Sequence, residues 1–167
     1  ATLSERRSSV VTSNTVGKIE NSSGFMVYIA TSITMIDSAM FYLIGTLYPF
    51  VARSTYPALG FPQYPGEVGA SDAEPAKKAE AAKAATAAIA EPLEVFHKFY
   101  MNGTPFIGGA RPSIADIRLA ATLEFLAAID YPLPDWAKTY MAGMEKKLGK
   151  AYSEPAADVR GYIGYVK

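Results

Sequence analysis

The chain has 167 residues, of which 50% are hydrophobic and only 19% are charged, and its 16 basic residues balance its 16 acidic ones. A chain of this length is the size of one domain and can bury roughly 70% of its unfolded surface. The low charge and the 12% aromatic content exclude a disordered chain. With zero net charge, the chain as a whole lacks the excess of positive charge that is typical of proteins that bind nucleic acid. Because there is no cysteine, disulfides, thiolate zinc sites and a cysteine nucleophile are excluded.

The N-terminal residues 1–24 are polar and rich in serine, and they show no apolar periodicity. This pattern predicts an extended tail or linker, with a separate domain over residues 25–167. The chain begins at Ala1 rather than Met, so we expect it to be processed or to be a piece of something longer. The tail also suits the remnant of a transit sequence. We therefore expect an organellar location, in a plastid or mitochondrion, with the cytoplasm as the alternative.

Residues 25–51 contain a single charge, Asp37, and are long enough to cross a bilayer. A carboxylate near the centre of a bilayer costs about 2.5–3.5 kcal/mol, which argues against that position. Apolar residues recur at three- and four-residue steps, and hydroxyl residues fall on another face. This pattern indicates a soluble helix that is buried on both sides, and a membrane-embedded helix is the alternative.

Residues 52–74 hold three prolines and three glycines, which predicts a long connection between helices. Pro75 is acceptable at a first helical position, and residues 76–90 are mostly alanine with lysine and glutamate, which are strong helix formers. The helical pattern continues to residue 100, and Pro92 is expected to kink or restart the helix.

Ser113 is followed three residues later by Asp116, which predicts a capping box with Asp in place of the usual Glu or Gln. Asp116 could also be a buried catalytic acid, but capping explains it better. The helix that follows is apolar nearly all round, so it belongs at the centre of a domain. Its apolar positions are Ile117, Ala120, Ala121, Leu123, Phe125, Leu126 and Ile129.

Two further helices are predicted. Asp135 can cap a helix from Trp136 to Leu148, and Pro155 opens a short final helix. No strand pattern competes, so the fold class is all-α, a helical bundle. The single histidine, His97, has no second ligand at helical spacing, so we predict no metal site and place His97 on the surface or at a rim.

Three segments resemble the all-helical C-terminal domain of glutathione S-transferases: GTPFIGG at 103–109, RPSIADI at 111–117 and AATLEF at 120–125. In that family a Ser/Thr-x-x-Asp box starts the buried helix of the domain. An apolar staple accompanies the box, and here it would pair Pro112 with Ile117, although Pro112 departs from the larger apolar residue often found there. The resemblance implies an all-helical domain.

The resemblance also implies which part of such an enzyme this chain contains. A thioredoxin-like N-terminal domain activates and holds glutathione in these transferases, and residues 1–24 are too short for a βαβ unit, which takes some 30 residues. We therefore expect no catalytic residue and no cofactor, with glutathione bound only if that domain is supplied. The wall of an electrophile pocket would be sought at Tyr28, Tyr42 and Tyr48, for which packing is the simpler interpretation.

Two hypotheses follow. In the first, the chain is a non-catalytic interaction module, a subunit of a larger protein assembly with membrane contact possible. It forms a homo- or hetero-oligomer through the uncharged helix 25–51, because one domain cannot bury both faces of that helix. In the second, the chain is the C-terminal half of an active transferase, which joins the glutathione thiol to an electrophile and whose N-terminal domain is missing here.

Overall fold

The computed structural model describes residues 32–62, 75–101 and 103–167. The described residues form helices joined by turns and no strand, with one isolated bridge between Phe106 and Gly109. The all-α prediction is therefore confirmed. The chain divides into two compact units, Ala1–Thr34 and Met35–Lys167. The predicted tail 1–24 and Tyr28 lie outside the described residues.

Six helices account for most of the described chain. In the first, a π-helical turn at Leu43–Leu47 interrupts the α-helix, and the fourth runs on into a 3₁₀ turn at Leu126–Ile129. They are α1 (Ser32–Thr55), α2 (Pro75–Ala88), α3 (Ala90–Tyr100), α4 (Ile114–Phe125), α5 (Asp135–Leu148) and α6 (Lys150–Val166).

The main core lies where α1, α3, α4 and α5 meet. Its stripe on α1 consists of Ala39, Leu43, Leu47 and Val51, all fully buried. These residues recur every four positions, whereas an α-helix completes a turn in 3.6 residues. The π turn is wider than an α-helical turn, so it offsets the drift and keeps this stripe facing the core.

The predicted interruption at Pro92 is a restart. Helix α2 ends at Ala88 and α3 begins at Ala90, so Pro92 lies in the first turn of α3. Backbone N–H groups in a first turn have no intrahelical acceptor, so the missing N–H of proline costs nothing there.

Helix α1 continues past the predicted end at Val51. The hydroxyls of Ser54 and Thr55 are buried and donate to the Val51 carbonyl at 2.9 and 2.7 Å, and turns continue to Gly60. Packing of this last stretch against α2 and α4 extends the helix into the region predicted as a loop.

The final helix is longer than predicted. Helix α6 has 17 residues and holds Pro155 in its interior rather than at its start. Tyr152 and Arg160 bind Glu124 of α4 from either side of Pro155. These contacts keep both halves helical in spite of the backbone hydrogen bond that proline removes.

Asp135 does not cap α5 as predicted. The N-cap is Pro134, no side chain caps the helix, and Asp135 lies at the first helical position. Its carboxylate instead accepts a hydrogen bond from Lys138 Nζ at 3.0 Å on the surface.

Candidate functional site

Ser113 and Asp116 form both hydrogen bonds of a capping box at the start of α4. Ser113 N donates to Asp116 Oδ2 at 2.7 Å, and Asp116 N donates to Ser113 Oγ at 3.4 Å. Ser113 Oγ also donates to Asp116 Oδ2 at 2.6 Å. The box arises locally because Ser113 has an extended backbone that turns its side chain toward the first helical N–H groups.

The other carboxylate oxygen of Asp116 binds two groups that sequence reasoning missed. Oδ1 accepts from Ile107 N at 2.9 Å and from the Tyr140 hydroxyl at 2.8 Å. Asp116 is fully buried, so it joins the turn before α4, the start of α4 and α5. Both oxygens are used within the fold, which leaves neither free for a substrate. No sequence signal links Asp116 to Tyr140, because they are 24 positions apart.

Ile117 is exposed, although the apolar pattern of α4 predicted that it would lie in the centre of the domain. Its side chain is 54% exposed, and Ile114 on the same side of α4 is 61% exposed. The predicted staple between Pro112 and Ile117 would therefore lie at the surface, and it stays a prediction. Helix α4 is buried on every side except this one, where Ala121 is exposed as well.

A second buried carboxylate, Glu124, joins α4 to α6. Arg160 binds it with two parallel hydrogen bonds, Nε to Oε2 at 2.9 Å and Nη2 to Oε1 at 2.6 Å. The Tyr152 hydroxyl donates to Oε1 at 2.8 Å. The hydrogen bond to Glu124 raises the pKa of Arg160, and burial, with the bond to Glu124, raises the pKa of Tyr152. The Glu124 network therefore holds α4 and α6 together.

Tyr140 provides a test of the Asp116 network at alkaline pH. Burial, followed by the adjacent Asp116 carboxylate, raises the pKa of the Tyr140 hydroxyl far above its ordinary value. The folded state therefore holds this proton when the unfolded state, with a tyrosine pKa of about 10, has lost it. The contribution of Tyr140 to the free energy of unfolding is therefore fully present below about pH 10, and it decreases as the pH rises above that value. At pH 11 the expected loss is about 1.4 kcal/mol.

The measurement is urea unfolding at pH 9 and at pH 11 for the wild type and for Tyr140→Phe, which cannot ionise at this position. The stability difference between the two proteins should shrink by about 1.4 kcal/mol over this interval. A difference that stays constant between the two pH values would show that Tyr140 ionises normally in the folded protein.

Tyr42 and Tyr48 make their described contacts with different neighbours of α1. Tyr42 donates to the Pro92 carbonyl at 3.2 Å and packs against Phe96 and Tyr100 of α3. The Tyr48 hydroxyl shares a 2.9 Å hydrogen bond with that of Tyr56, and the Arg118 guanidinium lies 4.3 Å from its ring centre. Each tyrosine connects α1 to a neighbouring segment.

His97 is one of the residues that line a cavity of about 400 Å³ between α3 and α5. Its ring stacks on Trp136 with the ring centres 4.4 Å apart and the planes 7° from parallel. No group of His, Asp or Glu side chains that could hold a metal ion occurs within the described ranges. The cavity is lined by His97, Met101, Thr104, Pro105, Phe106, Trp136, Thr139, Tyr140 and Gly143.

On α1, the apolar side chains of Phe41 and Ile44 are 78% and 50% exposed. Asp37, one turn before Phe41, is also exposed. We call these three residues, together with Gly45, the open face of α1. Helix α1 is long and apolar enough to cross a membrane by length and composition, with a mean hydropathy of 1.3 in its most apolar window, of which 28% is buried.

Residues 78–143 match the family described as glutathione S-transferase, C-terminal domain. No curated protein and no solved structure gives a significant match. The matched stretch contains the Asp116 network, the buried helix α4 and most of α5. This stretch of the chain is therefore similar to the C-terminal domain of glutathione S-transferases.

Proposed function

We propose that the chain is a non-catalytic interaction module, a glutathione S-transferase C-terminal-like subunit of a larger protein assembly. The observation that carries the proposal is the open face of α1, where Phe41 and Ile44 are exposed. Burying an exposed side chain of this size stabilises a complex by roughly 1.5–3 kcal/mol. Contiguous exposed apolar surface is typical of an interaction site.

The charge pattern of α1 supports the same proposal. Between Ser32 and Thr55 the only charged residues are Asp37 and Arg53. The centres of protein interfaces are depleted of charge and enriched in aromatic residues and methionine. This helix contains both types, so its composition favours contact with another protein.

The polar groups of the domain support a non-catalytic role. Asp116 and Glu124 are the buried carboxylates of the described residues, and both hold helices together. In the family, glutathione is held and activated by the N-terminal domain, whereas the matched family here is that of the C-terminal domain.

We further propose that the assembly is membrane-associated, in a plastid or mitochondrion. The length and hydropathy of α1 favour proximity to lipid. Asp37 is exposed in its first half, which favours contact with a protein subunit over insertion. Extraction of native membranes with alkaline carbonate should therefore release the chain completely into the soluble fraction. Retention in the membrane pellet would instead indicate an inserted α1.

The interaction role predicts an effect of charge on the open face. The double variant Phe41→Glu/Ile44→Glu should lower the fraction of the chain in its native assembly at least ten-fold, because a buried interface cannot hold two unpaired carboxylates. The matched control is Tyr165→Glu, since Tyr165 is 87% exposed on α6. The measurement is native gel electrophoresis of mild extracts, with folding checked by circular dichroism.

Two results would overturn the proposed function. One is a chain that migrates alone at its own 17.9 kDa in wild-type extracts. The other is conjugation of glutathione to a general electrophile by this chain without an added domain, which would favour the transferase hypothesis.

A further inference from the structure

The cavity between α3 and α5 is a surface feature that the interaction proposed for α1 does not use. Its volume of about 400 Å³ lies within the range of ligand-binding sites in proteins, roughly 300–1,000 Å³. Two of its lining residues, Phe106 and Tyr140, are only 6% and 5% exposed, so they lie at its inner side. Thr104 and Thr139 also line it and are exposed, so they lie at its mouth.

Paired aromatic rings form a wall of this cavity. The imidazole of His97 stacks on the indole of Trp136 with the ring centres 4.4 Å apart. Trp136 Nε1 is buried with no hydrogen-bond acceptor among the described residues, so stacking rather than hydrogen bonding orients the indole. The rings therefore give the cavity a flat apolar surface. Grooves lined by aromatic rings are the sites at which proteins bind proline-rich segments.

The polar groups of the cavity suit an uncharged ligand that accepts hydrogen bonds. None of the described residues that line it has a carboxylate, an ammonium or a guanidinium group, so no fixed charge there would balance an ionic ligand. The Thr139 hydroxyl and the His97 imidazole form no hydrogen bond within the described part of the chain. Each can therefore donate one to an incoming carbonyl group. The Tyr140 hydroxyl is already used by Asp116.

We propose that this cavity binds a proline-rich segment of a partner protein in the polyproline II conformation. The inference goes beyond the proposed function, because it concerns a surface other than the open face of α1. A proline residue has no backbone N–H, so it offers an apolar ring and a carbonyl acceptor and needs no acceptor from the cavity. The polyproline II backbone makes no internal hydrogen bonds, so its carbonyl groups are available to Thr139 and His97. The segment is ordered before it binds, which lowers the entropic cost of binding.

Gly143 leaves space for the backbone of the bound segment. It lines the cavity one helical turn after Thr139 on α5, and a Cβ added at Gly143 meets no atom within 4 Å. A larger side chain at this position would occupy part of the cavity. Because glycine inside a helix is less favourable than almost any other residue, replacing it should not destabilise α5. The position therefore separates an effect on binding from an effect on folding.

The first test is titration of the full chain with a peptide of about eight prolines, about 25 Å long. The readout is the fluorescence of Trp136, the single tryptophan of the chain. We expect a saturable change in emission with a dissociation constant below about 1 mM. A glycine–serine peptide of equal length, which has no rings and is not ordered in advance, should cause no such change. The variant Phe41→Glu/Ile44→Glu should bind the proline peptide as the wild type does.

Two variants test whether the peptide binds in this cavity. Gly143→Leu should raise the dissociation constant about ten-fold or more, because its side chain takes the space of the peptide. Its matched control is Gly161→Leu on α6, where an added Cβ also meets no atom within 4 Å. Thr139→Val, which removes one hydroxyl from the mouth, should weaken binding about three-fold or more. Thermal unfolding followed by circular dichroism should show that all three variants are folded.

Three results would overturn the inference. The first is a Trp136 emission that shows no saturable change up to about 2 mM peptide. The second is equal binding of the glycine–serine peptide, and the third is unchanged affinity in folded Gly143→Leu and Thr139→Val. Uptake of a neutral aromatic dye without uptake of the proline peptide would also overturn it, because the cavity would then be a small-molecule site.

These measurements fail independently of those on the proposed function. Loss of the peptide site leaves the native assembly and its dependence on the open face of α1 untouched. A chain that migrates alone in native extracts and still binds the proline peptide contradicts the proposed assembly and supports the peptide site.

Discussion

Replacing Asp116 by alanine should destabilise the domain by about 3–5 kcal/mol, because each buried donor left without an acceptor costs about 1–3 kcal/mol. The backbone N–H groups of Ile107 and Ser113 and the hydroxyl of Tyr140 all lose their acceptor. These donors are at least partly buried, so water cannot replace the carboxylate without opening the fold. Urea unfolding followed by far-ultraviolet circular dichroism measures the loss.

Ser113→Ala is the matched control for the local part of this network. It removes the hydroxyl of the capping box and leaves the bonds of Asp116 to Ile107 and Tyr140 intact. The expected cost is about 1 kcal/mol, typical of an N-cap. If the two variants were equally stable, Asp116 would be only a helix cap, and its long-range bonds would contribute nothing.

Glu124→Ala should destabilise the domain by about 2 kcal/mol. The variant loses the two hydrogen bonds from Arg160 and the one from Tyr152, and bonds to a charged group are the stronger ones. The cost is lower than for Asp116 because the Arg160 side chain is 51% exposed, so water solvates it once its partner is gone.

A double-mutant cycle with Arg160→Ala isolates the ion pair from the packing of α6. We expect a coupling energy of about 1 kcal/mol, reduced from that of a buried pair by the exposure of Arg160. The control is Asp135→Ala, which breaks the exposed pair with Lys138 and should change stability by less than about 0.5 kcal/mol. Similar losses for Glu124→Ala and Asp135→Ala would contradict a structural role for this network.

The sequence predicted α4 well because its signals are local. Ser113 and Asp116 are three residues apart, so a single turn of helix brings them together whatever surrounds it. The buried side of α4 likewise follows from consecutive apolar residues. The prediction for the remaining side of α4 was wrong. Ile117 and Ala121 are as apolar as their buried neighbours, but they are exposed because no helix of the described residues covers them.

The sequence predicted exposed apolar area on the helix over residues 25–51, but not which of its side chains are exposed. The low charge of residues 25–51 indicated a helix with more apolar area than one domain can bury, and Phe41 and Ile44 are exposed there. Tyr42 and Tyr48 pack against different neighbours, in keeping with the packing interpretation that the sequence favoured for them. Arg118 carried no signal, because its contact with Tyr48 joins residues 70 positions apart in the sequence.

The amino-acid sequence by itself determined the helical class, the interruption of the helix near Pro92 and the capping box, since each depends on backbone geometry within a few residues. Only the tertiary structure decided that α6 continues through Pro155, that Asp116 binds Tyr140 and that Glu124 binds Arg160. These features depend on which helices meet, and packing energy at such contacts exceeds the local preference of a proline or a cap.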